Sequence, residues 1–344
     1  MTTERVSKGL RQLKYSYSIG IEGRRGRGFS SPVDLAFSKA GKMYVASRDH
    51  MGAISDAVGV RIGFCNPDFK AEYFGEFGGY GDGDGQFIWP TALAFDNDDI
   101  LYLADEHLNR ITLFDTGGKF IGKWGTPGDG YGQLSGPSGM AFDGENNIYI
   151  VDNLNNRVQK FTKDGQFLDT FGSFGTEDGQ FYLPWGITLD REGNVYVADW
   201  RNDRIQKFTK DGQFLAKFGS TGNGDGQFYR PSSVAVDSEG YIYVADWGNE
   251  RVQILGPDGS FQQKLRGESS LSKWTEEYFE AAHEEAEARS RANLEPELGI
   301  EDPWQESSFV EKLLWGPISV KLDNQEKLFI TETNRHRVQI YQKG

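Results

Sequence analysis

Proline returns at a fixed place in a unit that this chain repeats. Aligning the copies gives six starts, Pro32, Pro90, Pro137, Pro184, Pro231 and Pro317, and the four from Pro90 to Pro231 stand 47 residues apart. The clearest copy, "PWGITLDREGNVYVADWRNDRIQKFTKDGQFLAKFG" at 184–219, holds four short runs rich in Val, Ile, Tyr and Phe. Turn chemistry separates them: REGN, WRND, TKDG and a Gly-rich loop. A period of this size with four strands per unit predicts propeller blades. One blade cannot bury both faces of its small sheet, so the blades must pack on one another in a ring.

The last unit ends at "RVQIYQKG", after its third strand. The N-terminus supplies "LKYSYSIG" (13–20), where Leu13, Tyr15, Tyr17 and Ile19 alternate with Lys14, Ser16 and Ser18. That strand is expected to become the outer strand of blade six, tying the two ends together and removing free edges. The predicted fold is therefore all-β: a six-bladed β-propeller of four-stranded blades, one domain over residues 1–344.

The loops before each proline, such as "GDGDGQFIWP" (81–90), look at first like calcium loops. Across the copies, however, the acids drift while Gly, Gln, an apolar residue and Pro persist. A ligand set would keep its carboxylates, whereas a turn keeps its glycines. The loops are read as turns. An Asp and an Arg also recur five residues apart, as Asp105/Arg110, Asp152/Arg157, Asp199/Arg204 and Asp246/Arg251. Because they recur, they are read as scaffold, the Asp accepting from turn amides and the Arg bridging to it.

The runs "NVYVADWRNDRIQKF", "NIYIVDNLNNRVQKF" and "YIYVADWGNERVQIL" resemble the NHL repeat, and the resemblance covers about residues 13–265 and 315–344. It implies a propeller whose relatives include RNA-binding and protein-binding proteins, a zinc-dependent peptide-amidating lyase, and more distant lyases and lactonases. The amidating lyase takes zinc ligands from His residues just after the blade proline. Those positions here are Val33, Thr91, Ser138, Trp185, Ser232 and Ile318, none of which can replace an imidazole. That chemistry does not carry over.

Departures from the repeat point to function. Blade one has Ser47 in place of the Asp and a loop nine residues longer before Arg61; Glu332 replaces the Asp in blade six. The largest departure, residues 268–314, follows blade five and carries thirteen acids against four bases, most of the chain's net charge of −14. Within it, "SSLSKWTEEYFEAAHEEAEARSRAN" has helical spacing with Ser270 or Ser272 to cap it. A shorter helix is expected from Ser308, with Glu311 at capping-box spacing and Gly316–Pro317 as the stop. Fourth-to-first and second-to-third connections emerge on one face of a propeller, so the insertion is expected to cover that mouth of the central channel.

The candidate ligand-binding residues are Trp185, Trp200, Trp247, Arg48, Arg230 and Arg335, flat aromatic surface with cationic groups. His50, His107 and His336 are candidate general bases, and together they form the one candidate set for a divalent metal at the mouth. No cofactor is predicted. Cys65 is read as a small buried residue, and a single cysteine with no apolar signal core fits a cytoplasmic location. No run reaches membrane-spanning length. Nucleic acid is disfavoured as a partner, since "GRRGRG" (23–28) is the only local basic cluster. The leading expectation is a propeller binding a small molecule or peptide at the insertion-covered mouth. The rivals are a lyase or hydrolase using a His base there, and a scaffold whose protein partner docks on the acidic helices.

Overall fold

The computed structural model describes residues 12–49, 58–297 and 299–344. Six four-stranded antiparallel sheets are formed by residues 32–77, 90–124, 137–171, 187–218, 231–265 and 317–343, the last completed by Leu13–Ile19. Within a blade, the second strand is wholly buried, as in Val195–Asp199, because neighbouring blades cover both its faces. The outer strand alternates, as in Phe214–Phe218, because it lies at an edge. The N-terminal strand pairs antiparallel with Arg337–Lys343, from Leu13 opposite Lys343 to Ile19 opposite Val338, so the ring closes as expected.

The apolar cores lie in the seams between blades. At the closing seam, Tyr17, Ile19, Phe329 and Val338 of blade six meet Leu35, Met43, Val45 and Cys65 of blade one. Cys65 is fully buried there, and burial pushes its thiol well above the ordinary range, so it is packing rather than a nucleophile.

Polar bonds repeat at the seams with the same regularity. The residue before each repeat Arg sits in the left-handed region: Asn109, Asn156, Asp203, Glu250 and His336 have φ of 52–53°. Each side chain accepts from the amide just before the next blade's proline. The donors are Gly136, Leu183, Arg230, Gly316 and Ser31, at 2.7, 2.8, 2.7, 2.5 and 2.9 Å. In the sixth seam the position is Val60, and an Arg48–Glu106 ion pair joins blades one and two instead. Residues after the prolines add a ring of links: Thr91, Ser138 and Ser232 donate to carbonyls of Pro137, Trp185 and Ile318 at 2.8–2.9 Å. The hydroxyl at this position is a blade-to-blade bond.

The Gly-rich loops do surround a cation, but it is the repeat arginine. Arg204 donates to the carbonyls of Thr176, Glu177 and Gln180, each at 2.8 Å, and its Nε donates to Asp199 at 2.9 Å. Arg110 likewise reaches the carbonyls of Asp82, Gly83 and Gln86 in the loop containing Asp82 and Asp84, but its Nε does not bridge to Asp105, whose carboxylate accepts from backbone amides instead. The acids of that loop face elsewhere; Asp84 pairs with Lys123 at the surface.

The insertion forms three helices, α1 (Lys273–Ala281), α2 (His283–Arg291) and α3 (Pro303–Phe309). Ser272 caps α1 by accepting from Thr275 N, and it donates to Gly20 O at 2.6 Å. The Trp274 indole is driven into the closing seam, 5.4 Å from the Phe29 ring, and donates to Ala71 O at 2.9 Å. The expected helix from Ser308 is corrected. Asp302 caps α3 by accepting from Trp304 and Gln305 amides, Pro303 fills its first turn, and Ser308 lies near its end. Helix cannot run on through 310–314, because Arg335 and Arg337 take the carbonyls of Ser307, Ser308, Glu311 and Leu313. A continuing helix would use those acceptors itself.

Candidate functional site

The insertion does not line the channel, and the expected lid is corrected to that extent. The channel wall comes from the innermost strands and, in blade four, from Trp185 and Gly186 just before that strand, and the open space within it is about 20 Å³. That holds a water molecule, not a ligand. Within the channel wall, Asp34 of blade one and Lys321 of the neighbouring blade six pair at 3.2 Å, with Ser319 donating to Asp34 at 2.5 Å. Trp185 stands in this wall, half-buried, after its proline. Helices α1 and α2 lie over blade six, where a cleft of about 450 Å³ is bordered by Leu271, Thr275, Arg289, Glu311, Arg335 and His336, while α3 packs against the Trp247–Asn249 turn of blade five. The span of the cleft is set by the docking of Trp274 and by the Arg289–Glu311 ion pair.

Apart from Trp185, the expected residues fall into three groups on the connecting loops. Between blades one and two, the Arg48 guanidinium lies 5.1 Å from the Trp89 ring, whose other neighbour is His107 at 5.0 Å. Beside blade six, Arg335 lies 5.1 Å from Trp315, which meets exposed Trp304 of α3 edge-on. Between blades four and five, Trp200 and Trp247 sit with ring centres 6.5 Å apart. Arg201 and Arg230 each lie 4.9 Å from the centre of the Trp200 ring, and Arg230 lies 5.1 Å from Tyr229. Trp200 and Trp247 are held by the repeat itself. Each opens a single 3-10 turn after the buried Asp199 or Asp246, whose carboxylate fixes the neighbouring backbone.

The histidines do not converge. His336 is the acceptor of the closing seam, its Nδ1 receiving the Ser31 amide, so that nitrogen carries no proton. His107 is exposed on blade two, and His50 lies outside the described residues. Among the described residues, no group of three His, Cys, Asp or Glu side chains has metal-holding geometry. Residues missed from sequence were Trp89, Arg201, Trp304 and Trp315. Arg201 was legible as the residue after the blade-four Trp, while Trp304 needed the correct start of α3.

Glu250 occupies the seam position that holds Asn or Asp in blades two to four. Burial pushes its carboxyl up to about 7, against the opposing pull of the Gly316 amide and Arg266.

A family model described as NHL repeat matches residues 134–161, 181–208 and 228–255, which are blades three, four and five of the ring just described. Three of the chain's six blades are NHL repeats. No curated protein matches the sequence of this propeller. Among solved structures, a streptogramin B lyase aligns with a TM-score of 0.57 at 12% identity over 97% of this chain and 98% of its own. A catalytically inactive virginiamycin B lyase from Staphylococcus aureus with quinupristin aligns at 0.57 and 13%, over 96% and 99%. A protein of unknown function from Bacteroides thetaiotaomicron aligns at 0.61 and 16%, over 96% and 76%. At such identities the likeness is one of fold. No helix among the described residues is long and apolar enough to cross a membrane.

Proposed function

We propose that this propeller is a cytoplasmic binding protein that takes a peptide or small molecule on the face around the channel mouth. The observation that carries the reading is the Trp200–Trp247 pair, two indoles of adjacent blades held 6.5 Å apart on rigid turns. Flat aromatic surface fixed before binding loses little conformational entropy when a ligand lands on it. The nearly filled channel favours a ligand lying across the face rather than entering the ring. A lyase reading has the fold likeness behind it, but a general base needs an orienting partner, and the seam bond already occupies Nδ1 of His336.

Panning an immobilised random peptide library against the wild-type chain and a Trp200→Ala/Trp247→Ala variant tests the reading. The half-buried position of both rings predicts that the variant folds. Peptides should be enriched on the wild type and lost on the variant. Equal enrichment on both, or none on either, refutes the proposal.

A further inference from the structure

Resting on the binding reading above, we infer that the blade-four/blade-five platform selects a carboxylate carried on an apolar or aromatic body. The starting observation is the state of two guanidiniums. In a chain of net charge −14, arginines around the ring are mostly committed: Arg48 to Glu106, Arg24 to Asp49, Arg27 to Glu277, and the repeat arginines to their loops. Arg201 and Arg230 differ. Among the described residues neither side chain has a carboxylate within ion-pairing distance or a hydrogen-bond acceptor, and their contacts are to aromatic faces alone.

Guanidinium stacked on an aromatic ring keeps its in-plane donors free at the edge. Both guanidiniums share the Trp200 indole, so two such edges border one apolar surface. Asp203 accepts from Arg230 N at 2.7 Å and from Thr221 Oγ1 at 2.8 Å, and it forms no ion pair with either guanidinium. Arg230 stands at φ 53°, a position filled by Gly136 and Gly316 in blades three and six and by Ser31 and Leu183, at φ 48° and 49°, in blades one and four, so the backbone there accepts several residue types. A planar carboxylate matches the fork of donors, and an apolar body beside it would cover Trp200 and Trp247.

The test uses the full chain and two neutral-bodied probes, N-acetyl-tryptophan and N-acetyl-tryptophanamide, titrated by calorimetry at low and high salt. A peptide pair differing only in a C-terminal carboxylate or amide, and another differing in an internal Glu or Gln, distinguish the source of the charge. The acid should bind at least tenfold more tightly than the amide. Its affinity should fall with salt, and the preference should vanish in an Arg201→Gln/Arg230→Gly variant. Arg230→Gly relieves a left-handed residue, so that variant is expected to melt no lower than the wild type. Equal binding of acid and amide to the wild type overturns the carboxylate inference while leaving the platform reading standing. Binding of neither probe overturns it as well. A preference that survives in the double variant places the selective group elsewhere and also refutes the inference.

Discussion

Trp274 is the pin that holds the acidic insertion to the ring, and its removal gives the sharpest test of how the insertion is placed. The indole is 1% exposed, lies 5.4 Å from Phe29 and 5.9 Å edge-on from Tyr73, and donates to Ala71 O. Truncating a buried Trp to Ala costs about 3–5 kcal/mol, of which about 1 kcal/mol here belongs to the lost hydrogen bond. Trp274→Ala should therefore destabilise the protein by about 4 kcal/mol if the insertion and ring unfold together. Trp274→Phe keeps much of the packing and loses the bond, for a cost of about 1–2 kcal/mol. Urea unfolding followed by circular dichroism measures the loss, and trypsin cleavage at Arg289 and Arg291 reports detachment of α1–α2. A Trp274→Ala protein within 1 kcal/mol of the wild type, with unchanged cleavage, would refute the anchoring argument and with it the placement of the cleft over blade six.

Four further outcomes are expected. Glu250 has its folded-state pKa raised from 4.5 to about 7, so its contribution to stability is greatest below pH 4.5 and is lost as pH rises towards 7, a swing of about 3 kcal/mol. Chemical denaturation between pH 5 and 8 should show that downward slope, and Glu250→Gln should flatten it. Deleting residues 1–20 exposes the edge of Arg337–Lys343 and removes Tyr17 and Ile19 from the closing core; loss of cooperative melting and aggregation are expected, and a truncated chain that melts like the full one would refute closure. Arg204→Ala leaves buried Asp199 and three loop carbonyls without their donor, for a loss of about 3–5 kcal/mol by thermal melting. Gly85, at φ 72°, should not tolerate Val, whereas Asp82→Asn with Asp84→Asn should change stability by less than about 1 kcal/mol; a calcium-dependent melting shift lost in the Asn variant would overturn the turn reading.

The ring was legible because its causes are local and repeated. Prolines mark the first strands, alternating apolar runs mark the blades, and "LKYSYSI" announces the missing strand. The turn reading of the Gly-rich loops followed from which residues persist, although the arginine at their centre became visible only with the structure. His336 was set aside as a candidate base because it departs from the repeat in type. Its position, directly before the repeat arginine, is that of Asn109, Asn156, Asp203 and Glu250, and position rather than type decided its role. The insertion was hardest to read. Its helices are locally encoded, but α3 ends where arginines of blade six claim its carbonyls, and Trp274 docks on Phe29, Ala71 and Tyr73, each more than 200 positions away. Neither contact leaves a local signature. The platform was legible in part: Trp200, Trp247 and Arg230 were picked out, while Arg201, readable as the residue directly after Trp200, was passed over.

The most direct measurement of the central claim is a crystal structure of the full chain with a peptide recovered from the library. The account predicts density lying across Trp200 and Trp247 on the mouth face, with a carboxylate between Arg201 and Arg230. A peptide seated in the cleft beneath α1–α2, or on the opposite face of the ring, would contradict it.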